Sequence, residues 1–321
     1  MLKVYPRKQL RLTVSASVLT INSIWFMRKI IAVVVTYNPD LDKLKRLLSV
    51  LSKNLADIVL VDNASENQSL LRECSSKCTF IALACNKGIA NAQNRGIKKA
   101  FEFGCDGVIF FDQDSEVSSD LIVRLAASFE VLAVSKNVAI IGPIHKDRRV
   151  EFFYPLIKLS RSGWVKKINP ALLTEPTEVD LVISSGSLIS AKALLDVGLM
   201  NEDFFIDYVD TEWCLRAKKM GYELYVDPRC ILIHEIGENI LKVWRWYVPV
   251  HSPSRRYYRI RNGYWLLRMN HFPTLLCVKE IVQNTLHQIL LVLISNRRWD
   301  YAKYGWKGTR DGVCEIWKRP Q

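Results

Sequence analysis

Residues 108–115 read Val-Ile-Phe-Phe-Asp-Gln-Asp-Ser, a run of strand formers that stops at two carboxylates, Asp112 and Asp114, one residue apart. Four consecutive large apolar residues with no polar alternation describe a strand covered on both faces, as in a parallel sheet. Side chains at i and i+2 share one side of an extended backbone, so the two carboxylates can project together beyond the strand end. Hard oxygen ligands of this kind suit Mg²⁺ or Mn²⁺, which take few protein carboxylates and fill their remaining positions with water and phosphate oxygens. The competing reading is an acidic turn that caps the next helix through Asp114 or Ser115.

Working outward, the strand-then-turn pattern recurs. Ile30–Val35 is a β-branched run ending at Thr36-Tyr37-Asn38-Pro39, and Leu41, Leu44, Leu47, Leu48 and Leu51 follow at helical spacing. Ile58–Val61 ends in the turn cluster Asp62-Asn63-Ala64-Ser65, Phe80–Leu83 reads as a third strand, and Gly88–Phe103 as a helix. Strands alternating with helices predict right-handed crossovers and an α/β, three-layer sandwich with a mostly parallel sheet. Ligands then bind beyond the carboxyl ends of the strands, where each polar cluster lies. A Rossmann dehydrogenase is excluded, because Thr36-Tyr37-Asn38-Pro39 has none of the glycines its phosphate loop requires.

From Pro143 to Pro176 the pattern dissolves into mixed charge, aromatics and prolines, which predicts a surface excursion or lid. Strand character returns at Val179–Ile183, before Ser184-Ser185-Gly186-Ser187 and a helix over Ala191–Val197. A second helix carries Trp213, Leu215, Arg216 and Met220 and is closed by Gly221. Tyr222–Val226 and Ile231–His234 are the last predicted strands of this part.

At 321 residues and 49% hydrophobic composition the chain supports a sizeable core and is not disordered. Its net charge of +13 is unevenly placed: residues 29–240 have 25 basic and 28 acidic side chains, residues 241–321 have 15 and 4. The eight cysteines form no C-x-x-C pair and several sit in apolar runs, which reads as reduced thiols in the cytosol with no zinc set. Residues 1–26 are basic, then apolar but broken by Ser15, Ser17, Thr20, Asn22 and Ser23, a weak match to a signal peptide. We expect them to be an extension outside the fold, with Met27 the functional start. The most apolar late run, Ile281–Ile294, contains Gln283, Asn284, His287 and Gln288 and reads as too short to span a membrane.

Taken in order, the Thr36 strand end, the Asp62 turn, Asn86-Lys87-Gly88-Ile89-Ala90-Asn91-Ala92-Gln93-Asn94-Arg95-Gly96, Asp112-Gln113-Asp114, Ser185-Gly186-Ser187, Phe205-Ile206-Asp207-Tyr208-Val209-Asp210-Thr211-Glu212-Trp213-Cys214-Leu215-Arg216 and His234 resemble family 2 glycosyltransferases of the GT-A fold. The pairing of FFDQDS with FIDYVDTEWCLR looks most like bacterial rhamnosyltransferases of surface polysaccharide synthesis. The resemblance implies a GT-A catalytic domain over residues 27–240 and an inverting, metal-dependent transfer of L-rhamnose from dTDP-L-rhamnose to a lipid-linked saccharide. A different nucleotide sugar is the near alternative, and a non-catalytic saccharide or lipid binder the remote one.

The same resemblance implies roles. Thr36, Tyr37, Asn38 and Asp62 would form the nucleotide pocket, and Asn91, Arg95, Asp112 and Gln113 would hold the rest of the donor. Asp112, Asp114 and His234 would bind Mg²⁺ or Mn²⁺. Ser185, Gly186 and Trp213 would meet sugar. Aligned through Leu215-Arg216, Asp210 falls on the base that takes the acceptor proton. Val209 stands where the family usually has a second acid, which keeps Asp207 as the alternative base. Glu212 reads as solvated or as charge at a helix N-terminus. Beyond residue 240, Trp244, Trp246, Tyr247, Tyr257, Tyr258, Tyr264 and Trp265 alternate with Arg245, Arg255, Arg256, Arg259, Arg261 and Arg268. Aromatic and cationic residues so mixed predict a helical region, residues 241–321, seated on anionic lipid at the inner face of a bacterial plasma membrane. Nucleic acid would suit the same composition, but a nucleotide-sugar core gives it no role.

Overall fold

The computed structural model describes residues 27–147, 152–233, 239–243 and 246–317. Residues 1–26, His234, Trp244 and Arg245 lie outside the described residues.

In chain order the first half comprises β1 (Ile30–Thr36), α1 (Leu41–Asn54), β2 (Ile58–Asp62), α2 (Gln68–Cys74), β3 (Thr79–Ala82), α3 (Ile89–Glu102), β4 (Gly107–Asp112), α4 (Leu121–Ala133) and β5 (Val138–Asp147). There follow β6 (Phe152–Phe153), β7 (Leu156–Leu159), β8 (Val165–Ile168), β9 (Thr177–Val179), β10 (Leu188–Ser190), α5 (Ala191–Val197), α6 (Val209–Lys219) and β11 (Glu223–Ile233). The chain continues through β12 (Asn239–Val243), β13 (Trp246–Val250), α7 (Pro253–Trp265), α8 (Thr274–Ile294) and α9 (Arg298–Trp317). Among the described residues the main sheet runs β3-β2-β1-β4-β10-β5-β11-β9, with β6 added beside β5. The β3-β2-β1-β4 block and the β5–β11 pair are parallel, and short β10 is antiparallel between β4 and β5.

The apolar runs supply both faces at once. Ile31, Val33, Val59, Val61, Val108 and Phe110 point to the side covered by α3, α5 and α6, while Ala32, Val34, Ile58, Leu60, Ile109 and Phe111 point to the side of α1 and α4. Period-two alternation explains the split, and burial on both sides explains why no polar residue interrupts the runs. The layers approach closely: a Cβ at Gly96 of α3 would come within 2.2 Å of Val33 Cγ1.

Two strand expectations are corrected. Val179–Ile183 is not one strand, because Asp180 is buried with its carboxylate accepting the Leu159 N–H and its own N–H bound to Ile157 O at 2.9 Å. The ladder strand is Leu188–Ser190, after a tight turn in which Ser187 N–H reaches Ser184 O. Conversely, the two predicted strands at Tyr222–Val226 and Ile231–His234 are one strand through Ile233 with a register shift between Asp227 and Ile231. Pro228 has no N–H to give the ladder there, and Asp227 accepts the Arg229 N–H instead, at 3.0 Å.

Helices α7–α9 pack on one another, and Leu266, Phe272, Leu276 and Cys277 join the core on the α3 side of the sheet. The expected limit on apolar length is also corrected: α8 begins at Thr274 and its 21 residues are long and apolar enough to cross a membrane. Asn284 and Gln288 face inward and are buried, while Gln283 and Thr285 are exposed beside a stripe of exposed apolar residues, Leu275, Val278, Val282, Leu286, Ile289 and Leu293. All eight cysteines are free thiols.

Gly96→Ala should destabilise the fold by about 1–3 kcal/mol through overpacking against Val33. Urea unfolding followed by circular dichroism would show it as a lower midpoint at an unchanged slope.

Candidate active site

The carboxyl ends of β1, β2 and β4 open into a cavity of about 900 Å³, walled on its far side by residues 205–211 and by α7 and α8. Tyr37, Asn63, Asn86, Gln113, Asp112 and Asp114 line it from the sheet side. Gln113 Oε1 accepts the Tyr37 N–H at 2.7 Å, tying the β1 and β4 ends together. The helix-cap reading of Asp112–Ser115 does not hold, since α4 begins only at Leu121, with Asp120 at its N-cap. Instead the Asp112 N–H donates to Ser185 Oγ, which is 2.8 Å from Ser115 Oγ, so the turn is fastened to the 184–187 segment behind it.

Asp62 does not reach the cavity. It is fully buried and accepts from Thr36 Oγ1 (3.0 Å), Ser65 N (2.9 Å), Ser65 Oγ (2.5 Å) and Gln68 Nε2 (3.0 Å). Thr36 is buried with it. What this turn presents is Asn63, whose amide donates to Asn86 Oδ1 and accepts the Lys87 N–H. Asn38 has φ 46 and ties its N–H to Ser65 Oγ at 2.8 Å, beside the cavity wall. Asn91 is buried and donates to Glu202, while Arg95 one turn on is exposed, and neither lines the cavity. Trp213 is 1% exposed with its indole N–H on Gly198 O, so it packs in the core and does not line the cavity.

The decisive wall is residues 204–211. Phe205, Asp207 and Tyr208 all have φ near 60, in the left-handed region that non-glycine residues seldom occupy. Two neighbours hold them there. Ile89 N–H of α3 donates to Phe205 O at 2.7 Å, an approach permitted by Gly88, where a Cβ would sit 2.3 Å from the same oxygen. From the other side Asn262 of α7, with no exposed surface, gives its amide to Phe204 O (2.9 Å), Ile206 O (2.8 Å) and Asp207 O (3.3 Å).

This clamp separates three acids into three environments. Asp207 pairs with Arg255 (3.1 Å) and Arg259 (3.3 Å); burial would raise its pKa, but the two guanidiniums outweigh it and hold the carboxyl below the usual range. Asp210 has no cation beside it. Burial raises its pKa first, the Thr211 and Ser184 N–H groups oppose, and the Asp207 and Asp112 charges raise it further, for a net upward shift. Glu212 is neither solvated nor in the cavity: it is 2% exposed and takes Arg216 Nε and Nη2, both at 2.9 Å. The cavity is therefore lined by the Asp112 and Asp114 pair and by Asp210, a buried carboxylate whose pKa is raised.

The family model for glycosyl transferase family 2 matches residues 31–194. A dTDP-rhamnosyl transferase of Shigella flexneri, RfbF, is 38% identical over 289 residues, 89% of this chain and 96% of its own length. The low-salt glycan biosynthesis hexosyltransferase Agl10 of Haloferax volcanii is 28% identical over 58% of this chain and 61% of its own. The fold is shared with Staphylococcus aureus TarS 1-349 in complex with UDP-GlcNAc, at TM-score 0.52 and 16% identity over 89% of this chain and 80% of that one. GalNAc-T7 with UDP, GalNAc and Mn²⁺ superposes at TM-score 0.53 and 15% identity over 90% of this chain and 56% of that one.

The chain belongs to glycosyl transferase family 2. It is a nucleotide-sugar glycosyltransferase with the GT-A fold, and the helices beyond residue 250 complete its cavity. Sequence reading of this glycosyltransferase missed Asn63, Asn86, His251, Arg255, Arg259 and Asn262. The arginines of residues 255–261 were assigned to a lipid-facing surface, but Arg256 is wholly buried on Gln288 Oε1 and Asn284 O, and Arg255 and Arg259 point into the cavity. The signal was the i, i+4 spacing of Arg255 and Arg259, which puts both on one helix face.

Asn262→Ala would remove the amide from all three carbonyls, leaving Phe204 O to the Ile206 N–H and Arg261, with an expected loss of about 1–3 kcal/mol. Thermal unfolding measures that cost, and turnover well below the melting temperature should fall as well, because the 204–211 wall loses its outer clamp.

Proposed function

We propose that this glycosyltransferase moves L-rhamnose from dTDP-L-rhamnose, with inversion, onto a lipid-linked saccharide, and that Asp210 is the base. The observation that carries this reading is that Asp210, a carboxylate whose pKa burial raises, shares a cavity with Asp112 and Asp114. The sugar and nucleotide follow from similarity to the Shigella flexneri dTDP-rhamnosyl transferase over nearly the whole chain.

The nucleotide would lie across the β1 and β2 ends, with Tyr37 offering a ring face and Asn63 and Asn86 offering amides. Asp62 acts one step back, by shaping the turn that carries Asn63. The two carboxylates at the β4 end fit a small divalent cation that also takes phosphate oxygens. Asp112 and Asp114 would hold Mg²⁺ or Mn²⁺, which when bound offsets the negative charge growing on the departing nucleoside diphosphate. His234 is the third proposed ligand; its neighbour Ile233 is bridged to Glu116, whose N–H lies 3.3 Å from Ile233 O, two residues past Asp114.

Inversion requires one in-line displacement, so the base must face the anomeric carbon from the side opposite the diphosphate. Asp210 lines the same cavity as the β4 end and would take the proton of an acceptor hydroxyl. Asp207 cannot share that task while two guanidiniums hold its charge.

In this reading residues 27–240 form the catalytic unit and residues 241–321 complete it and face the membrane, which keeps the enzyme peripheral on the cytoplasmic side. The surface that supports this is the α8 stripe from Leu275 to Leu293, with Trp299 and Trp306 of α9 80% and 72% exposed beside exposed Arg297, Arg298, Lys303, Lys307 and Arg310. An apolar stripe flanked by cations is how a helix lies in a lipid interface.

Asp210→Asn should lower kcat about 10²–10⁴-fold with dTDP affinity retained. Single-turnover rates and calorimetric dTDP titration separate the two effects, and a loss confined to binding would remove the base assignment. In a thermal-shift panel dTDP-L-rhamnose with Mn²⁺ should stabilise the enzyme more than UDP sugars do, a ligand at 100 times its Kd adding about 2.7 kcal/mol.

Anionic liposomes should co-sediment the enzyme at low salt, less so as salt rises. Val282→Asp with Leu286→Asp should abolish the pelleting while dTDP binding persists.

A further inference from the structure

Beyond the acidic end of the cavity lies a cationic one. Arg255 and Arg259 project into it from one face of α7, each about a third exposed, with His251 at the head of the same helix. Their ion pair with Asp207 uses only part of their donor set: Arg255 gives Nε and Nη2 to Asp207, while Arg259 gives Nη1 to Asp207 and Nε to Asn284 Oδ1. His251 is a second, independent sign. It is 4% exposed and lines the cavity, yet its Nδ1 has no hydrogen-bond partner. Buried polar atoms are nearly always satisfied, and a native exception on a cavity wall marks a place for a ligand.

We propose that His251, Arg255 and Arg259 form an anion seat for a phosphate group carried by the acceptor, with Asp207 as the counter-ion that keeps the seat assembled when it is empty. This rests on the glycosyltransferase reading above and extends it to the acceptor. Planar guanidiniums match phosphate oxygens through paired N–H donors, and neighbouring arginines favour a dianion that a carboxylate alone does not neutralise. In-line geometry decides between the two phosphate sources. The donor diphosphate must leave on the Asp112 and Asp114 side, whereas Asp207 and its arginines belong to the wall that carries the base, where the acceptor enters. A lipid-linked saccharide joins its sugar to lipid through phosphate, and α8, the helix that packs beside α7, bears the exposed apolar stripe.

Farnesyl diphosphate is a soluble probe of this seat. Calorimetric titration into the full chain, presaturated with dTDP and Mg²⁺, should show binding that farnesol does not reproduce. Arg255→Gln and Arg259→Gln should weaken farnesyl diphosphate at least tenfold and leave dTDP affinity within twofold. Asp207→Asn, which removes the competing anion, should tighten it, and the Asp207→Asn, Arg255→Gln double variant guards against misfolding from a stranded charge. Three results would overturn the proposal. A tenfold loss of dTDP affinity in the arginine variants would give the seat to the donor. Unchanged or absent farnesyl diphosphate binding, or its weakening by Asp207→Asn, would leave the cluster a structural ion pair. Failure of dTDP to bind wild type would instead count against the donor reading, and the farnesyl diphosphate comparison, repeated without dTDP, would still be legible.

Discussion

Three residues with positive φ, none of them glycine, stand between the core and the cavity, and the whole site depends on what keeps them there. Left-handed backbone at Phe205, Asp207 and Tyr208 is costly, of order 1–3 kcal/mol per residue. The hydrogen bond from Ile89 to Phe205 O and the Asn262 amide on Phe204, Ile206 and Asp207 provide the compensation. One clamp comes from α3, early in the chain, and the other from α7, late in it. The wall that carries Asp210, the proposed base, is therefore held in shape only when the catalytic sheet and the C-terminal helices are assembled together.

That arrangement explains how two aspartates three residues apart come to differ. Asp207 turns toward α7 and is ionised by Arg255 and Arg259. Asp210, on the first turn of α6, receives two N–H groups and no cation, and burial dominates its proton affinity. Groups whose surroundings push their pKa values apart mark acid–base roles. One cavity is thus lined by Asp112 and Asp114, by the proposed base Asp210, and by Arg255 and Arg259.

Most of the fold was legible in the sequence because uninterrupted β-branched runs occur only where both faces of a strand are covered. The place of Asp112, Asp114 and Asp210 on the cavity wall was legible because they sit at element ends. Where other side chains point was not legible, for physical reasons. Asp62 follows the same strand-end pattern, but Thr36, Ser65 and Gln68 lie close enough to satisfy it, and it turned inward. Trp213 sits on the core side of α6, which helical phase relative to Asp210 decides and the motif does not show. The arginines of α7 were read as a surface because composition has no direction. Only the tertiary packing of α7 turns Arg256 into the helix bundle and Arg255 and Arg259 into the site. The strand Val179–Ile183 was lost to Asp180, whose buried carboxylate binds the Leu159 N–H in place of the ladder.

Asp210 is proposed as a base whose proton affinity is raised by burial and by the Asp207 charge. A base must be ionised to act, so activity is present above its pKa and is lost as pH falls through it; because that pKa is raised, the loss begins above the ordinary aspartate value. The direct test is the pH dependence of the single-turnover transfer rate at saturating donor, in wild type and in Asp207→Asn. The account predicts an acid limb set by one ionisation, displaced to lower pH in Asp207→Asn, where a neighbouring negative charge has gone and two arginines remain. An acid limb at the same pH in both enzymes, or none above the ordinary aspartate value, would contradict it.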